Sequence, residues 1–148
     1  MSPFGGPEQW KPIAQILVAY VLTALIGWDR EREAHSAGLR TFPIVGMASC
    51  GYLLILNTHA DPAGQSRVLQ GLITGIGFVG GGAILKDGSM VRGTATAASV
   101  WNAGVIGASV AMEHYAIAIA LSLLNLITLR LLLPVKNWLD RKDADPDR

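Results

Sequence analysis

The sequence predicts an all-α fold, a polytopic membrane helix bundle of about five transmembrane helices. Only 16% of the 148 residues are charged, whereas soluble domains carry about 25%. Five apolar runs, each close to the roughly 17–25 residues that a bilayer span requires, alternate with short polar connections. The third and fourth runs are rich in glycine, alanine and serine, which is typical of helices that pack closely in lipid.

The apolar runs define the order of the helices. The first follows a polar leader, residues 1–11, and begins at Pro12, which suits the first turn of a helix. Pro134 is expected to end the fifth helix because proline cannot continue the backbone hydrogen bonding. The transmembrane domain then covers residues 12–133, and residues 134–148 form a charged cytoplasmic tail. The predicted helices are residues 12–28, 42–57, 67–85, 95–112 and 115–133.

Basic residues predict the orientation of this bundle. Lys11 and Arg67 lie on the side of the N-terminus, and the other ten of the twelve lysines and arginines lie on the opposite side. Because cytoplasmic segments carry the excess of basic residues, the N-terminus is predicted outside and the C-terminus in the cytoplasm. Residues 29–41 and the short charged turn at 86–94 then share the cytoplasmic face, where we expect them to meet. A net charge of +1 gives no reason to expect a nucleic-acid partner.

Glycines dominate the third run. Gly75, Gly77 and Gly80 spell G-x-G-x-x-G, but they lie inside an apolar span, without the strand and the later acidic residue that a dinucleotide site requires. We interpret the glycines as helix-packing positions, because small residues four apart allow close approach in lipid. Alternatively, the glycine triplet unwinds the helix and presents its carbonyl groups to a ligand. The packing positions are Gly71, Gly75, Gly77, Gly80, Gly81 and Gly82.

Polar residues also occur inside the apolar runs. Tyr20 and Thr23 share one face of the first helix, Ser99 and Asn102 share a face of the fourth, and Asn125 is the matching residue in the fifth. They predict either hydrogen bonds between helices or a polar pathway through the bundle. The polar positions expected inside the membrane are Tyr20, Thr23, Thr96, Ser99, Trp101 and Asn102.

Acidic residues in the connections are the candidate cation ligands. Asp29 and Glu31 are weak candidates for magnesium, which accepts one or two carboxylates together with water, and Glu33 and Asp87 belong to the same group. Interleaved arginines and lysines favour salt bridges instead. No side-chain pair suggests a nucleophile and its base, so we expect neither enzymatic activity nor a cofactor.

Several short blocks occur in a characteristic order. Residues 27–31 read GWDRE, residues 37–41 AGLRT, residues 75–84 GIGFVGGGAI, residues 91–93 VRG and residues 96–101 TAASVW. Together they resemble the MgtC/SapB family of small bacterial inner-membrane proteins. Thr94 and Ala95 depart from the family pattern, and the cytoplasmic domain that many members carry after the last span is expected to be absent. The motif residues of the cytoplasmic cluster are Asp29, Arg30, Glu31, Gly38, Arg40, Thr41, Arg92 and Gly93.

The resemblance implies a function linked to magnesium limitation and, in pathogens, to virulence. It implies a non-enzymatic regulator of the inner membrane that acts through other membrane proteins, among them the ATP synthase. Self-association as a homodimer is expected, because five spans rich in small residues expose much interface. The polar faces favour two other hypotheses, a small cation channel or transporter for Mg²⁺ and a purely structural bundle.

Overall fold

The computed structural model describes residues 10–32, 37–57, 62–88 and 90–143. These residues form five helices and one short hairpin, so the predicted all-α fold with five helices is confirmed. The helices Trp10–Arg32 and Tyr115–Leu132 are long and apolar enough to cross a bilayer, and Thr41–Leu56 is apolar but shorter. The elements are α1 (Trp10–Arg32), α2 (Thr41–Asn57), α3 (Pro62–Gly81), β1 (Leu85–Asp87), β2 (Met90–Arg92), α4 (Thr94–Ala111) and α5 (Tyr115–Asp143).

Both predicted ends of α3 were wrong. The helix begins at Pro62, since proline in the first turn loses no intrahelical hydrogen bond. It ends at Gly81, four residues before the predicted end. The amides of Ala83 and Ile84 donate to the carbonyls three residues back, at 3.0 and 3.1 Å, which tightens and closes the last turn. Gly82 therefore lies in a turn beyond the helix.

The segment after α3 was predicted as a charged turn and is instead an antiparallel hairpin. Leu85 of β1 pairs with Arg92 of β2, and Asp87 pairs with Met90. Gly88 follows β1 with φ of +60°, the left-handed conformation that tight hairpin turns require and that glycine adopts without strain.

The predicted end of the fifth helix was also wrong. Pro134 lies inside α5, which continues to Asp143. A proline removes only one hydrogen bond from the ladder and crowds one carbonyl, so flanking turns that form their own bonds carry the helix past it.

Helix α4 lies at the centre and packs against each of the other four helices. Its small residues allow this. A Cβ on Gly104 would collide with Ile76 of α3, and one on Gly107 would collide with the carbonyl of Gly46 in α2. Gly46 in turn lies against Thr23 of α1, whose Oγ1 would be 2.6 Å from an added Cβ. Helix α2 therefore approaches α4 at backbone distance and lies directly against the Thr23 side chain of α1.

The close contact at Gly107 predicts that alanine substitutions at two helical glycines have different effects on the stability of the bundle. Gly107→Ala should destabilise the bundle by about 1–3 kcal/mol, because its methyl group would press against the backbone of α2. Gly51→Ala is the matched control, since nothing lies within 4 Å of its Cβ position. It should be neutral or stabilising by up to about 1 kcal/mol through helix propensity. Unfolding in mixed micelles titrated with dodecyl sulfate measures both, and equal effects would contradict the packing described.

Candidate functional site

The C-terminal end of α1 carries a buried carboxylate held by two guanidinium groups. Asp29 and Arg30 are only 6% and 3% exposed. Arg30 Nη2 donates to Asp29 Oδ2 at 3.0 Å, and Nε of Arg130, arriving from α5, donates to Oδ1 at 2.7 Å. Each carboxylate oxygen thus accepts one charge-assisted hydrogen bond. The bond from Arg130 joins α1 to α5 across 101 positions of sequence.

Glu31 organises the turn between α1 and α2. Its Oε2 accepts the backbone N–H of Leu39 at 3.0 Å. The carbonyl of Gly38 accepts the amides of Thr41 and Phe42 at 3.0 and 3.3 Å, which starts α2. A Cβ on Gly38 would collide with the Glu31 carboxylate. Both weak candidates for magnesium, Asp29 and Glu31, are therefore engaged by donors of the protein itself.

Glycines also bring the end of α3 against the start of α4. Gly93, with φ of +85°, precedes α4, and its carbonyl accepts the N–H of Ala97 at 2.8 Å. A Cβ on Gly93 would collide with the carbonyl of Ala83, and one on Gly80 would lie 3.0 Å from the carbonyl of Ala97. Arg92 and Arg40 are exposed. The contacts described for residues 29–41 reach α5, and those of Gly93 reach the end of α3, so the expected meeting of the two segments stays a prediction.

The six predicted packing glycines have different surroundings. Gly80 contacts α4, and a Cβ on Gly82 would lie 3.3 Å from the carbonyl of Val79 in the preceding turn. At the other four, no heavy atom of the described residues beyond the local backbone lies within 4 Å of the Cβ position. These four open glycines are Gly71, Gly75, Gly77 and Gly81.

The open glycines lie on two separate faces of α3. Residues two apart on an α-helix point about 200° apart around the axis, so Gly75 and Gly77 face nearly opposite directions. Gly71 and Gly75 line a groove between α2 and α3. The second surface, which we call the Gly77 face, consists of exposed residues spaced at i, i+4, i+7 and i+11. The Gly77 face comprises Gln70, Thr74, Gly77 and Gly81.

Three of the six predicted intramembrane polar residues donate side-chain hydrogen bonds. Thr23 Oγ1 donates to the carbonyl of Ala19 in its own helix at 2.7 Å. Ser99 Oγ donates to Asn125 Oδ1 at 2.9 Å, and Asn102 Nδ2 donates to a carbonyl of α5 at 3.3 Å. These two bonds tie α4 to α5.

Among the described residues, the side chains of the other three polar positions have no such hydrogen bond. Tyr20 and Trp101 are 41% and 45% exposed at the surface of the chain. Thr96 is fully buried, and within the described residues its Oγ1 has no hydrogen-bond partner.

Three contacts between helices were not predicted from the sequence. Gln15 Nε2 donates to the carbonyl of Val110 at 3.0 Å, and Ser122 Oγ donates to the carbonyl of Leu22 at 2.8 Å. The third is the ion pair of Arg130 with Asp29. The available signal was a lone polar residue in an apolar run, which indicates that a partner is needed but not which helix supplies it.

Comparison with known proteins gives consistent results along the chain. The model of the MgtC family matches residues 16–138. Protein MgtC of Brucella abortus (strain 2308) is 34% identical over 102 residues, which cover 66% of this chain and 43% of that protein. Protein MgtC of Salmonella typhimurium (strain LT2) is 34% identical over 114 residues, covering 77% and 49%. The chain spans about half the length of these curated relatives, and no solved structure matches it.

The buried ion pair predicts unequal effects of two charge-neutralising substitutions. Asp29→Asn should destabilise the protein by about 3 kcal/mol, because it removes the charge that compensates a buried guanidinium. Glu113→Gln is the control: it breaks the pair with Lys11, 2.7 Å long and about half exposed, and should cost less than about 0.5 kcal/mol. Mixed-micelle unfolding measures both substitutions. A loss for Asp29→Asn no larger than that of the control would contradict a structural role for this carboxylate.

Alanine substitutions at two glycines of positive φ measure how much the contact of Gly93 with Ala83 contributes to the free energy of unfolding. Gly88→Ala should cost about 1 kcal/mol, the penalty of a side chain in the left-handed region, because its Cβ would meet open space. Gly93→Ala incurs the same penalty and also pushes the carbonyl of Ala83, so it should cost about 2 kcal/mol more. The same unfolding assay compares them, and equal losses would show that the approach of Gly93 to Ala83 is unimportant.

Proposed function

Because the chain belongs to the MgtC family, we propose that it is a non-enzymatic regulator of other inner-membrane proteins during adaptation to magnesium limitation. The relatives named MgtC support this role. In a pathogen, the same adaptation would serve virulence. We further propose five spans, with the N-terminus outside and the C-terminus in the cytoplasm. The unequal distribution of basic residues between the two sides supports this orientation.

The observation that carries the regulatory proposal is the unoccupied Gly77 face. Glycine inside a helix costs about 1 kcal/mol relative to alanine, yet Gly77 meets no other helix among the described residues. Gly81, the last residue of α3, meets none there either. Phe78, between these two glycines in sequence, is 87% exposed. In lipid, small residues permit the backbone approach on which helix association depends. The Gly77 face is therefore suited to receive a transmembrane helix from another protein.

Two kinds of partner fit this face. A second copy of the chain would give a homodimer in which the two Gly77 faces meet. A subunit of another membrane protein, such as the ATP synthase implied by the family resemblance, would present a helix with its own small residues. Either partner would bury glycine backbone that the single chain leaves exposed.

The alternative of a Mg²⁺ channel receives less support from the same contacts. Its pathway would use Thr23 and Ser99, whose hydroxyl groups donate to Ala19 and Asn125. It would end at Asp29, which two arginines already hold. A cation would have to displace charge-assisted hydrogen bonds before reaching a ligand.

Substitutions on the Gly77 face should separate assembly from folding. Gly77→Leu and Gly81→Leu should reduce cross-linked assemblies in native membranes several-fold and impair growth at low magnesium in cells that depend on this chain. Their insertion should be normal, since the added side chains meet open space within the chain. Gly51→Ala, on α2 and also without close neighbours, is the control. Unchanged cross-links and unchanged growth in both leucine variants would refute the proposal.

A further inference from the structure

An apolar groove runs between α2 and α3. Both helices pack on α4 and touch each other only lightly, which leaves a cleft of about 870 Å³ along their length. Gly71 and Gly75 lie along its α3 side and contribute no side chain, so the cleft stays open there. Most of the remaining lining is aliphatic: Ile44, Val45 and Ala48 from α2, and Val68, Leu72 and Val79 from α3.

A phenol and a guanidinium, those of Tyr52 and Arg67, lie at one end of this groove. Tyr52 is five residues before Asn57, the last residue of α2, and Arg67 is five residues after Pro62, the first of α3. At 1.5 Å per residue, both lie about 8 Å from the connection between the two helices, and therefore at about the same depth. Both side chains line the groove and are exposed. Within the described residues, neither makes a side-chain hydrogen bond or ion pair.

Within the part of the chain that the structure describes, no carboxylate pairs with the Arg67 guanidinium. Lys11, the other basic residue of the same side, pairs with Glu113 at 2.7 Å. Among the described residues, Glu113 is the one carboxylate on that side, and it is already held by Lys11. A phosphate ester is the complementary anion, because guanidinium binds it through two parallel hydrogen bonds.

The length of the groove matches one leaflet of a bilayer. Twelve residues separate Arg67 from Val79, which corresponds to about 18 Å along the helix. One leaflet contributes about 15 Å of the roughly 30 Å hydrocarbon core. An aliphatic chain that enters beside Arg67 would therefore run along the groove to about the middle of the membrane or slightly beyond.

We propose that the groove between α2 and α3 binds an anionic phospholipid of the outer leaflet. Its phosphate accepts hydrogen bonds from the Arg67 guanidinium and the Tyr52 hydroxyl, and one acyl chain lies against Gly71 and Gly75. The inference rests on the membrane placement in the proposed function but not on the regulatory role, because the groove and the Gly77 face lie on different sides of α3.

The test measures lipid bound to the full-length chain by native mass spectrometry. Protein purified in mild detergent is titrated with palmitoyl-oleoyl phosphatidylglycerol or with the matching phosphatidylethanolamine. The wild-type chain should bind one phosphatidylglycerol about tenfold more tightly than phosphatidylethanolamine. Arg67→Gln should lose about tenfold in affinity for phosphatidylglycerol, about 1.4 kcal/mol, because it removes the charged donor to the phosphate. Arg67→Lys should retain most of the affinity because it keeps the charge.

A pair of leucine substitutions locates the acyl chain. Gly75→Leu fills the groove and should abolish binding, whereas Gly77→Leu, on the other side of the same helix, should leave it unchanged. Equal phosphatidylglycerol binding by the wild type, Arg67→Gln and Gly75→Leu would overturn the proposal. So would a cross-linked dimer that Gly75→Leu abolishes, because a second copy would then occupy the groove. A failure of the regulatory proposal would be seen separately, because Gly77→Leu would then leave the cross-linked assemblies unchanged.

Discussion

The close approach of α4 to its neighbours is the constraint on which the rest of this structure depends. In lipid, the hydrophobic effect does not hold helices together, so contact must come from dispersion between closely spaced backbones and from a few hydrogen bonds. Gly104 and Gly107 allow the close backbone spacing, since side chains there would collide with α3 and α2. Ser99 supplies one of the hydrogen bonds, which it donates to Asn125 of α5. The other four helices all pack on α4.

This packing explains where the family motifs lie. Once α1 and α2 are held against α4, the end of α1 and the start of α2 are close enough for Glu31 to accept the amide of Leu39. Asp29, on the same turn, accepts a hydrogen bond from Arg130 of α5. Asp29 of the first motif thus ties α1 to α5, and Glu31 holds the turn before α2. Gly93 lets the start of α4 lie against Ala83, just beyond α3. Helix α3 packs mainly on α4 and presents two different faces elsewhere.

The sequence predicted the number and order of helices because each apolar run is long and bounded by polar residues. It failed at Pro134, where a single proline did not end a helix that had enough turns on both sides. It also missed the hairpin, since strands of three residues are too short to show an alternating pattern. A spacing of four identified the open glycines but did not indicate which face each pair occupies. The pairing of Asp29 with Arg130 depends on tertiary packing, so no local pattern contains it.

We propose that the two exposed faces of α3 have different occupants, a protein helix on the Gly77 face and a phospholipid in the groove. Photo-cross-linking in living cells with benzoylphenylalanine at single positions measures this most directly. The amino acid is introduced at Thr74, on the Gly77 face, or at Val68, which lines the groove. The account predicts protein adducts from position 74 and phospholipid adducts from position 68. The same adducts from both positions, or lipid alone from position 74, would contradict it.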